Sequence, residues 1–528
     1  MSRTKRVVAA STVGLMALTV AACGGDKNDS SGSSGGGAVI MGTTEPVQSL
    51  DPAKTYDLGS WTVIYNTFQT LLTYEAGAKE YSPDAAEKCS FGDPKTFTCT
   101  LKSGQKFSDG SDLTAEDVAF SIKRVVKIAD PTGASTLFGS MQSVEAKDAK
   151  TVVFHLKRPD ATFPQVLTTG AAAIVPSDKP DVYPADKVSA VSKSIGSGVY
   201  TLDKYKPKQL ASFIANKEYK GNRKPKAKQF VLQFFSQEST LKQAVENGKV
   251  DVAYGKLSPT TLDAIGKEKS KGVSVVQGAG ADIRYLTFNV KSKPVDNKAV
   301  RQAFAQVLDR DAIAKNVYNG NVTPLYSMVP QGVAGATQAF KDKYGAPSKD
   351  KAAGILKKAK VKTPVSIDLW SSPEKYGAVT TDEFTEIKRQ LEATGLFKVK
   401  LDTSAWEQFQ KAAFDEDQYP VFGLGWYPDF PDSDNYSSPF LRDGGYFTNN
   451  YKNAAVNKQL DKELASSDAK VREAAFAEIQ KITAEDVPLL PVWQGKQNGV
   501  VRDGVTGVQD TFDPSYIFRF WLVGKGKK

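Results

Sequence analysis

Helix-like and strand-like patterns alternate along nearly the whole chain, and this alternation limits the folds that the chain can form. The stretch "STLKQAVENGKVDVAYG" places apolar residues at helical spacing, stops at Gly248 and continues into a strand. "TTDEFTEIKRQLEAT" followed by "FKVKLDT" repeats this helix-to-strand order. The pattern predicts an α/β architecture. A chain of 528 residues is too long for one core, so we expect two or three domains, some of them interrupted by others.

Further segments complete the outline of secondary structure. Apolar spacing predicts a helix over "SWTVIYNTFQTLLTY" and a long helix, broken near Asp309, over "NKAVRQAFAQVLDRDAIAKNVY". "GSGVYTLDKYKP" and "QLASFIANKEYKG" are typical of the two strands of a hairpin. "VREAAFAEIQKITAEDVPLLPVWQ" predicts a helix that runs into a short strand. Thr114, with Asp117 three residues later, is a helix start signal.

The N-terminus has the features of an export signal. Three basic residues precede an apolar run over residues 7–22, which is too short to span a bilayer comfortably. The run ends in "LTVAAC", which resembles the lipobox of bacterial lipoproteins. We therefore expect a lipoprotein signal peptide over residues 1–22 and lipid attachment at Cys23; a plain signal peptide with a chance cysteine is the alternative. Two or three acyl chains would hold the protein on the extracytoplasmic face of the cell membrane.

Residues 23–37 are rich in Gly and Ser and predict a flexible linker between the lipid and the folded part. The formal net charge of +10 falls to about +7 when the three basic residues of the signal are removed. The remaining excess is spread thinly, without a compact basic cluster that contains aromatic residues. Nucleic acid is therefore not an expected partner.

Cys89 and Cys99 are the other two cysteines, and they lie close together in an exported chain. Paired cysteines in such a setting usually form a disulfide bond. In "TFTCTL" the alternation places Cys99 on the face of the strand that points toward the protein interior. A partner cysteine on the preceding strand is geometrically reasonable there. Neither cysteine has the C-x-x-C spacing or the neighbouring histidine of a metal or redox site.

A single histidine, His155, limits the catalytic chemistry that the chain can perform. A Ser–His–Asp or Cys–His arrangement would have to use it, yet "VVFHL" is typical of a structural strand. The chain contains no H-E-x-x-H motif, no P-loop and no dinucleotide-binding glycine motif. We therefore expect no enzyme activity and no cofactor. A secreted hydrolase remains the rival, because a chain rich in Asp and Glu holds many carboxylate pairs.

Three carboxylates stand in one stretch, "GLGWYPDFPDSDN", after a run of apolar residues. Asp429, Asp432 and Asp434 do not have the spacing of a calcium loop, and no Glu closes the stretch. Asp residues in a Pro-rich turn more often cap their own backbone. We therefore expect no metal site here.

Aromatic residues beside these carboxylates suit a ligand-binding cleft. Trp426 and Tyr427 are candidates for an apolar wall, beside which a carboxylate receives a ligand's ammonium group. A charge-assisted hydrogen bond of that kind contributes about 1.5–3 kcal/mol out of water. Trp406 and Trp493 are candidates for further walls, and packing in a core is the alternative for each tryptophan.

Ordered blocks along the chain resemble one family. "SLDPA", "FTCTLKSGQKFSDGSDLTAEDVAFSIKRV", "GSGVY", "NKEYKGN", "ENGKVDVAYG", "FNVKSKPVDNKAVRQAFAQVLDRDAIA", "GWYPDFPDSDN" and "EIQKITAEDVPLLPVW" follow one another with the spacing of the family 5 extracellular solute-binding proteins of ABC importers. Each block is weak alone, whereas their common order is specific. The resemblance covers nearly all of the mature chain and implies a dipeptide- or oligopeptide-binding protein.

The resemblance implies a two-lobed fold like that of the periplasmic binding proteins (class II, cluster C type), with an extra inserted domain and a ligand cleft between the lobes. Domain I would comprise residues 38–74, 194–284 and 487–528, domain II residues 75–193, and domain III residues 285–486. A monomer would close around its ligand and deliver it to the membrane permease of the transporter.

Particular residues match positions of the family. Asp429 matches the aspartate that pairs with the α-amino group of peptides. Glu45 matches a first-strand position that faces the cleft in some relatives, and Thr44 beside it is a further candidate for ligand binding. Relatives that bind dipeptides have an arginine in the segment that reads "LWSSPEKYGAV" here, where only Lys375 and Tyr376 stand nearby. A lysine lacks the two-pronged geometry of arginine. This departure favours longer peptides and leaves an oligosaccharide or another small solute as alternatives.

Overall fold

The computed structural model describes residues 37–255, 257–267, 272–445, 447 and 449–526. The predicted signal peptide, Cys23 and nearly all of the predicted linker lie outside the described residues. Within the described ranges, no helix is both long enough and apolar enough to cross a membrane.

The described residues form many short strands and helices. The strands are β1 (Val39–Thr43), β2 (Leu72–Thr73), β3 (Ser82–Pro83), β4 (Ala86–Asp93), β5 (Thr96–Leu101), β6 (Met141–Ala146), β7 (Thr151–Leu156), β8 (Tyr200–Lys206), β9 (Leu210–Ala215), β10 (Gln229–Phe234), β11 (Val252–Tyr254), β12 (Val273–Phe288), β13 (Val322–Pro324), β14 (Val365–Ser371), β15 (Phe397–Thr403), β16 (Val421–Trp426), β17 (Leu489–Arg502), β18 (Val505–Thr506) and β19 (Gly524–Lys525). The helices are α1 (Leu58–Thr67), α2 (Ala115–Ile128), α3 (Phe163–Val166), α4 (Glu238–Glu246), α5 (Pro259–Lys267), α6 (Lys298–Val307), α7 (Arg310–Asn316), α8 (Ala339–Tyr344), α9 (Lys349–Lys358), α10 (Pro373–Tyr376), α11 (Val379–Ala393), α12 (Trp406–Gln410), α13 (Ser438–Leu441), α14 (Ala454–Leu464) and α15 (Ala469–Asp486).

Two long antiparallel strands, β12 and β17, run through the middle of the largest sheet. The strand order is β15-β14-β16-β12-β17-β11-β1-β10-β9-β8, and β13 also pairs with β17. β16 pairs only with residues 283–288 of β12, whereas β11 pairs only with residues 499–501 of β17. β16 and β11 therefore belong to two different halves of the sheet, and β12 and β17 run through both halves.

These halves define two lobes. We call residues 39–254, built around β1 to β11, the first lobe, and residues 298–486, built around β13 to β16, the second lobe. β12 and β17 cross between them, and their register shifts between Ala279 and Ile283. A register shift of this kind bends a strand locally, so the bend lies at the crossing.

The first lobe carries a second sheet, with the order β4-β5-β7-β6. Cys89 of β4 lies directly opposite Cys99 of β5, and a disulfide bond joins them. Helix α2 packs beside this sheet and begins at Thr114, whose backbone N–H donates to Asp117 Oδ2 at 2.8 Å. The predicted helix start at Thr114 is confirmed.

Several predicted elements agree with the structure and two differ in extent. The break near Asp309 is confirmed, because Asp309 caps α7 directly after α6 ends. The hairpin of β8 and β9 is confirmed as well. The helix predicted through "FQTLLTY" was too long, because Phe68 takes an extended conformation and ends α1 at Thr67. The strand after α15 is longer than predicted, because β17 crosses both halves of the sheet.

A buried ion pair fixes the start of the first lobe. Both carboxylate oxygens of Asp51 accept hydrogen bonds from Arg124, at 2.7 and 2.6 Å, and both side chains are buried. The backbone N–H groups of Ala53 and Ser189 donate to the same carboxylate. Asp51 therefore joins the segment before α1 to helix α2 and to a distant loop.

We expect Asp51→Asn to lower the free energy of unfolding by about 3–5 kcal/mol, because it leaves the Arg124 charge buried without its partner. Urea-induced unfolding followed by circular dichroism measures the change. The control is Asp112→Asn, which removes an exposed ion pair with Lys106 and should leave the unfolding midpoint where it is. Equal midpoints for the wild type and Asp51→Asn would contradict the prediction.

Candidate ligand-binding site

The late loop follows β16, the strand that borders β12 in the second lobe. Two glycines of β16 leave room for aromatic rings from neighbouring helices. A Cβ at Gly423 would lie 2.3 Å from Phe384 Cζ, and one at Gly425 would lie 3.0 Å from Tyr376 Cε1. Glycine is therefore required here by packing, and the two rings hold the strand that leads into the loop.

Asp429 is held by two side chains from different lobes. Tyr56 of the first lobe donates its hydroxyl hydrogen to Asp429 Oδ1 at 2.7 Å. Asn435 donates its amide hydrogen to Asp429 Oδ2 at 2.9 Å. Among the described residues, no Lys, Arg or His forms an ion pair with this carboxylate. Burial raises the pKa of Asp429 above its usual range, while the bonds from Asn435 and Tyr56 act in the opposite direction.

Asn435 organises the loop around that carboxylate. Its Oδ1 accepts hydrogen bonds from the Asp429 backbone N–H at 2.9 Å and from Trp426 Nε1 at 3.1 Å. The Trp426 ring packs edge-on against Phe440, with the centroids 5.5 Å apart. Trp426 therefore acts mainly as a support for the loop. Tyr427 is 54% exposed and presents the larger accessible ring.

The other two aspartates of the loop have different partners. Arg472 donates to both oxygens of Asp432 at 2.7 Å and holds the pKa of Asp432 below its usual range, although burial acts in the opposite direction. Asp434 lies beside Glu463, and burial raises the pKa of Asp434. Burial also raises the pKa of Glu463, although its ion pair with Arg472, at 2.9 Å, acts in the opposite direction. These two aspartates shape the loop, in line with the sequence interpretation.

Residues at the end of β1 approach the same region from the first lobe. Thr43 pairs with Tyr254 of β11, and Thr44 and Glu45 follow at the strand end. Glu45 and Tyr254 border one small cavity, together with residues of α1 and β10. The charge of Glu45 contributes to the raised pKa of both Tyr254 and Tyr427. Glu45 therefore acts electrostatically on both tyrosines, and its position in the cleft stays a prediction.

A further carboxylate, Asp282, lies at the bend of β12. Tyr516 donates its hydroxyl hydrogen to Asp282 Oδ1, and the same hydroxyl oxygen accepts the N–H groups of Ala281 and Asp282 at 2.9 Å. Burial raises the pKa of Asp282 to about 6. Its charge is the main cause of the raised pKa of Tyr427. Asp282 therefore adds a second carboxylate to the region of Tyr427.

The segment predicted to face a ligand's carboxylate end forms an aromatic cluster. Lys375 Nζ lies 5.2 Å from the centre of the Trp406 ring, and the Trp406 ring is 5.8 Å from that of Tyr376. Tyr376 also covers the buried Arg284, whose guanidinium is 4.3 Å from the ring centre. The structure thus brings Lys375, Tyr376 and Trp406 together in one cluster, and their contact with a ligand stays a prediction.

Trp493 lies in β17 and packs away from the late loop. Its ring packs against Tyr318 at 5.0 Å between centroids, beside the residues of a hydrophobic core. The structure therefore places it in the packing role that was the alternative for each tryptophan.

Four residues of the site were not recognised from the sequence: Tyr56, Asp282, Asn435 and Tyr516. Asn435 stands inside the quoted loop and is a common turn residue, so its hydrogen bonds to Asp429 and Trp426 left no separate signal. Asp282 is a charged residue within the apolar and glycine-rich "GAGADIRYLTF", and that contrast is the one signal available. Tyr56 and Tyr516 reach the site through tertiary contacts.

Two lobes that share two long strands, with a buried carboxylate loop between them, define a two-lobed α/β binding protein. The family model of the bacterial extracellular solute-binding proteins, family 5, matches residues 80–448. The chain therefore belongs to family 5 of the extracellular solute-binding proteins, which are the extracytoplasmic binding components of ABC importers and not enzymes.

Curated relatives and solved structures agree with this membership. The chain is 26% identical over 491 residues to a probable D,D-dipeptide-binding periplasmic protein of Escherichia coli, covering 89% of this chain and 90% of the relative. It is 28% identical over 406 residues to the dipeptide-binding protein of E. coli, covering 72% and 73%.

Solved structures show the same fold. The unliganded open form of the murein tripeptide binding protein MppA has a TM-score of 0.78 at 19% identity, covering 94% of this chain and 99% of that chain. A Helicobacter pylori binding protein in complex with a peptide has a TM-score of 0.74 at 22% identity, covering 93% and 98%. An A. tumefaciens protein in complex with agropinic acid has a TM-score of 0.73 at 24% identity, covering 93% and 99%. The predicted two-lobed periplasmic-binding-protein fold is confirmed.

Proposed function

We propose that this protein is a lipid-anchored receptor that captures oligopeptides by closure of its cleft and delivers them to a membrane permease. The observation that carries the proposal is Asp429, a half-buried carboxylate that has neutral partners from both lobes and no ion-pair partner among the described residues. Burying a lone charge is costly, so a cationic ligand group at this point would stabilise the closed site. The α-ammonium group of a peptide is such a group.

The peptide backbone would be held by main-chain hydrogen bonds, which leaves the side chains free to vary. The relatedness to a dipeptide-binding protein and to a probable D,D-dipeptide-binding protein supports a peptide ligand. Glu45 and Thr44 would border the ligand from the first lobe. Lys375, Tyr376 and Trp406 would border its carboxylate end. The chain would act as a monomer with the three domains predicted from its sequence, and Cys23 would carry the lipid.

An oligosaccharide or another small solute is the second candidate for the ligand. The exposed ring of Tyr427 and the cluster of Tyr376 with Trp406 favour it, because aromatic faces also suit a sugar ring. The fold likewise occurs in a protein solved with agropinic acid.

Asp429→Asn is expected to weaken binding of tri-alanine about 10- to 100-fold, because a neutral amide replaces the charge that pairs with the α-ammonium group. Isothermal titration calorimetry gives the dissociation constants. N-acetylated tri-alanine lacks that ammonium group, so Asp429→Asn should not weaken its binding. Asp443→Asn, at an exposed position of the same lobe, is the matched control and should bind as the wild type does. Unchanged affinity of Asp429→Asn for tri-alanine would show that the ammonium group is bound elsewhere.

Binding of tri-alanine should weaken as the pH is lowered from about 7 to about 4, because protonation of Asp429 removes the negative charge that the ligand's ammonium group requires. Burial raises the pKa of Asp429, so the loss should begin at a higher pH than for an ordinary aspartate. Calorimetry across this range gives the profile. Asp429→Asn separates this effect from the titration of Asp282, whose pKa is raised to about 6. Identical pH profiles for the two proteins would contradict the assignment to Asp429.

Mass spectrometry on protein purified from membranes tests both the ligand class and the lipid. After denaturation, the released small molecules should be peptides, and the intact mature chain should carry an acylated Cys23. Release of oligosaccharide without peptide would overturn the peptide assignment. An unmodified mature chain would overturn the lipid anchor, independently of the ligand.

A further inference from the structure

The late loop of the second lobe inserts a side chain into the core of the first lobe. Phe430 is only 6% exposed, and it belongs to the hydrophobic cluster formed by residues between positions 53 and 195. Every other buried member of that cluster lies in the first lobe. Phe430 directly follows Asp429, so a contact between the lobes lies next to the candidate ligand carboxylate.

A polar contact crosses between the lobes beside that ring. Gln165 of α3 donates its side-chain amide to Asp432 Oδ2, while its Oε1 accepts the hydroxyl of Tyr74 at 2.6 Å. Both ends of the amide are therefore used, which fixes its orientation. Gln165 and Asp432 are only 6% and 7% exposed. A hydrogen bond to a charged group in such a place is stronger than one between neutral groups.

The second lobe holds Asp432 rigidly for this contact. Arg472 of α15 binds both carboxylate oxygens of Asp432 and also donates to Glu463 Oε2 at 2.9 Å. Leu464, next to Glu463, accepts the backbone N–H of Ala161 from the first lobe at 2.8 Å. Two hydrogen bonds thus join the lobes at this place: the Gln165 amide donates to Asp432, and the Ala161 N–H donates to the Leu464 carbonyl.

We propose that Phe430 and Asp432 form a clasp, with Gln165 as the receiving residue, that stabilises the closed arrangement of the two lobes and thereby sets the affinity for every ligand by one common factor. Proteins with this lobe arrangement bind by hinge closure. The clasp consists of contacts between the lobes and includes no ligand atom. Weakening it lowers the closed fraction, and the apparent affinity falls in proportion to that fraction whatever the ligand is.

The clasp and Asp429 therefore have different effects on ligand affinity. Loss of the Asp429 charge should discriminate between ligands with and without an ammonium group. Loss of the Gln165 amide should not discriminate between them. Gln165 acts here as a positioning residue, because it lies in the opposite lobe and reaches the loop through Asp432.

The test compares Gln165→Leu with the wild type in the full chain. Hydrogen exchange of the ligand-free protein should become faster in two segments, residues 161–169 and residues 429–436, because the closed arrangement is less populated. Calorimetry should show that tri-alanine and N-acetylated tri-alanine both bind about tenfold more weakly, by the same factor. Gln165→Asn, whose shorter amide cannot span the same distance, provides a milder second variant.

The control is Gln306→Leu. Gln306 is also a buried glutamine, but its amide donates to the carbonyl groups of Tyr344 and Ala346 within the second lobe. This variant should leave exchange at residues 429–436 and the affinities for both peptides as in the wild type. Unchanged exchange at residues 429–436 in both Gln165 variants would overturn the clasp, as would unequal losses for the two peptides. Failure of both peptides to bind the wild type would count against the peptide proposal alone, because the exchange result needs no ligand.

Discussion

The pairing of β12 with β17 is the interaction on which the rest of the structure depends. These strands are the ones that the two lobes share, and they bend between Ala279 and Ile283. A bend interrupts the regular hydrogen bonds of a sheet and exposes backbone N–H groups that need partners. The Tyr516 hydroxyl accepts two of them, and Tyr516 itself takes a left-handed conformation with φ of 55°. One side chain thus keeps the crossing intact at the point where it departs from a regular sheet.

The late loop shows how the surroundings of a carboxylate decide its role. Asp429, Asp432 and Asp434 lie within six residues of one another, yet each has a different kind of partner. Neutral groups hold Asp429, Arg472 holds Asp432, and Glu463 lies beside Asp434. The first is suited to a ligand's cation, the second to contact with the other lobe, and the third to local structure. Their spacing in the sequence alone carries no information on this division.

The sequence was sufficient for elements whose signals are local. The capped start of α2, the break at Asp309 and the hairpin of β8 and β9 follow from neighbouring residues, and the structure has all three. The order of the motifs was sufficient for the family and hence for the two-lobed fold. The extent of β17 was not predictable, because its length depends on strands from both lobes. Tyr56, Asp282 and Phe430 gained their roles only through residues far away in the chain, which no local pattern encodes.

The glycines of β16 also affect how the loop motif should be interpreted. Gly423 and Gly425 give space to Phe384 and Tyr376, and Trp426 supports Asn435. Much of "GLGWYPDFPDSDN" is therefore required by the packing of the second lobe and by the contact with the first lobe. A chain that binds a quite different solute would need the same packing residues, Gly423, Gly425 and Trp426, to hold the loop in place. Likeness in this motif therefore reports first how the lobes are built and joined, and Asp429 is the one residue in it to which we assign a ligand contact.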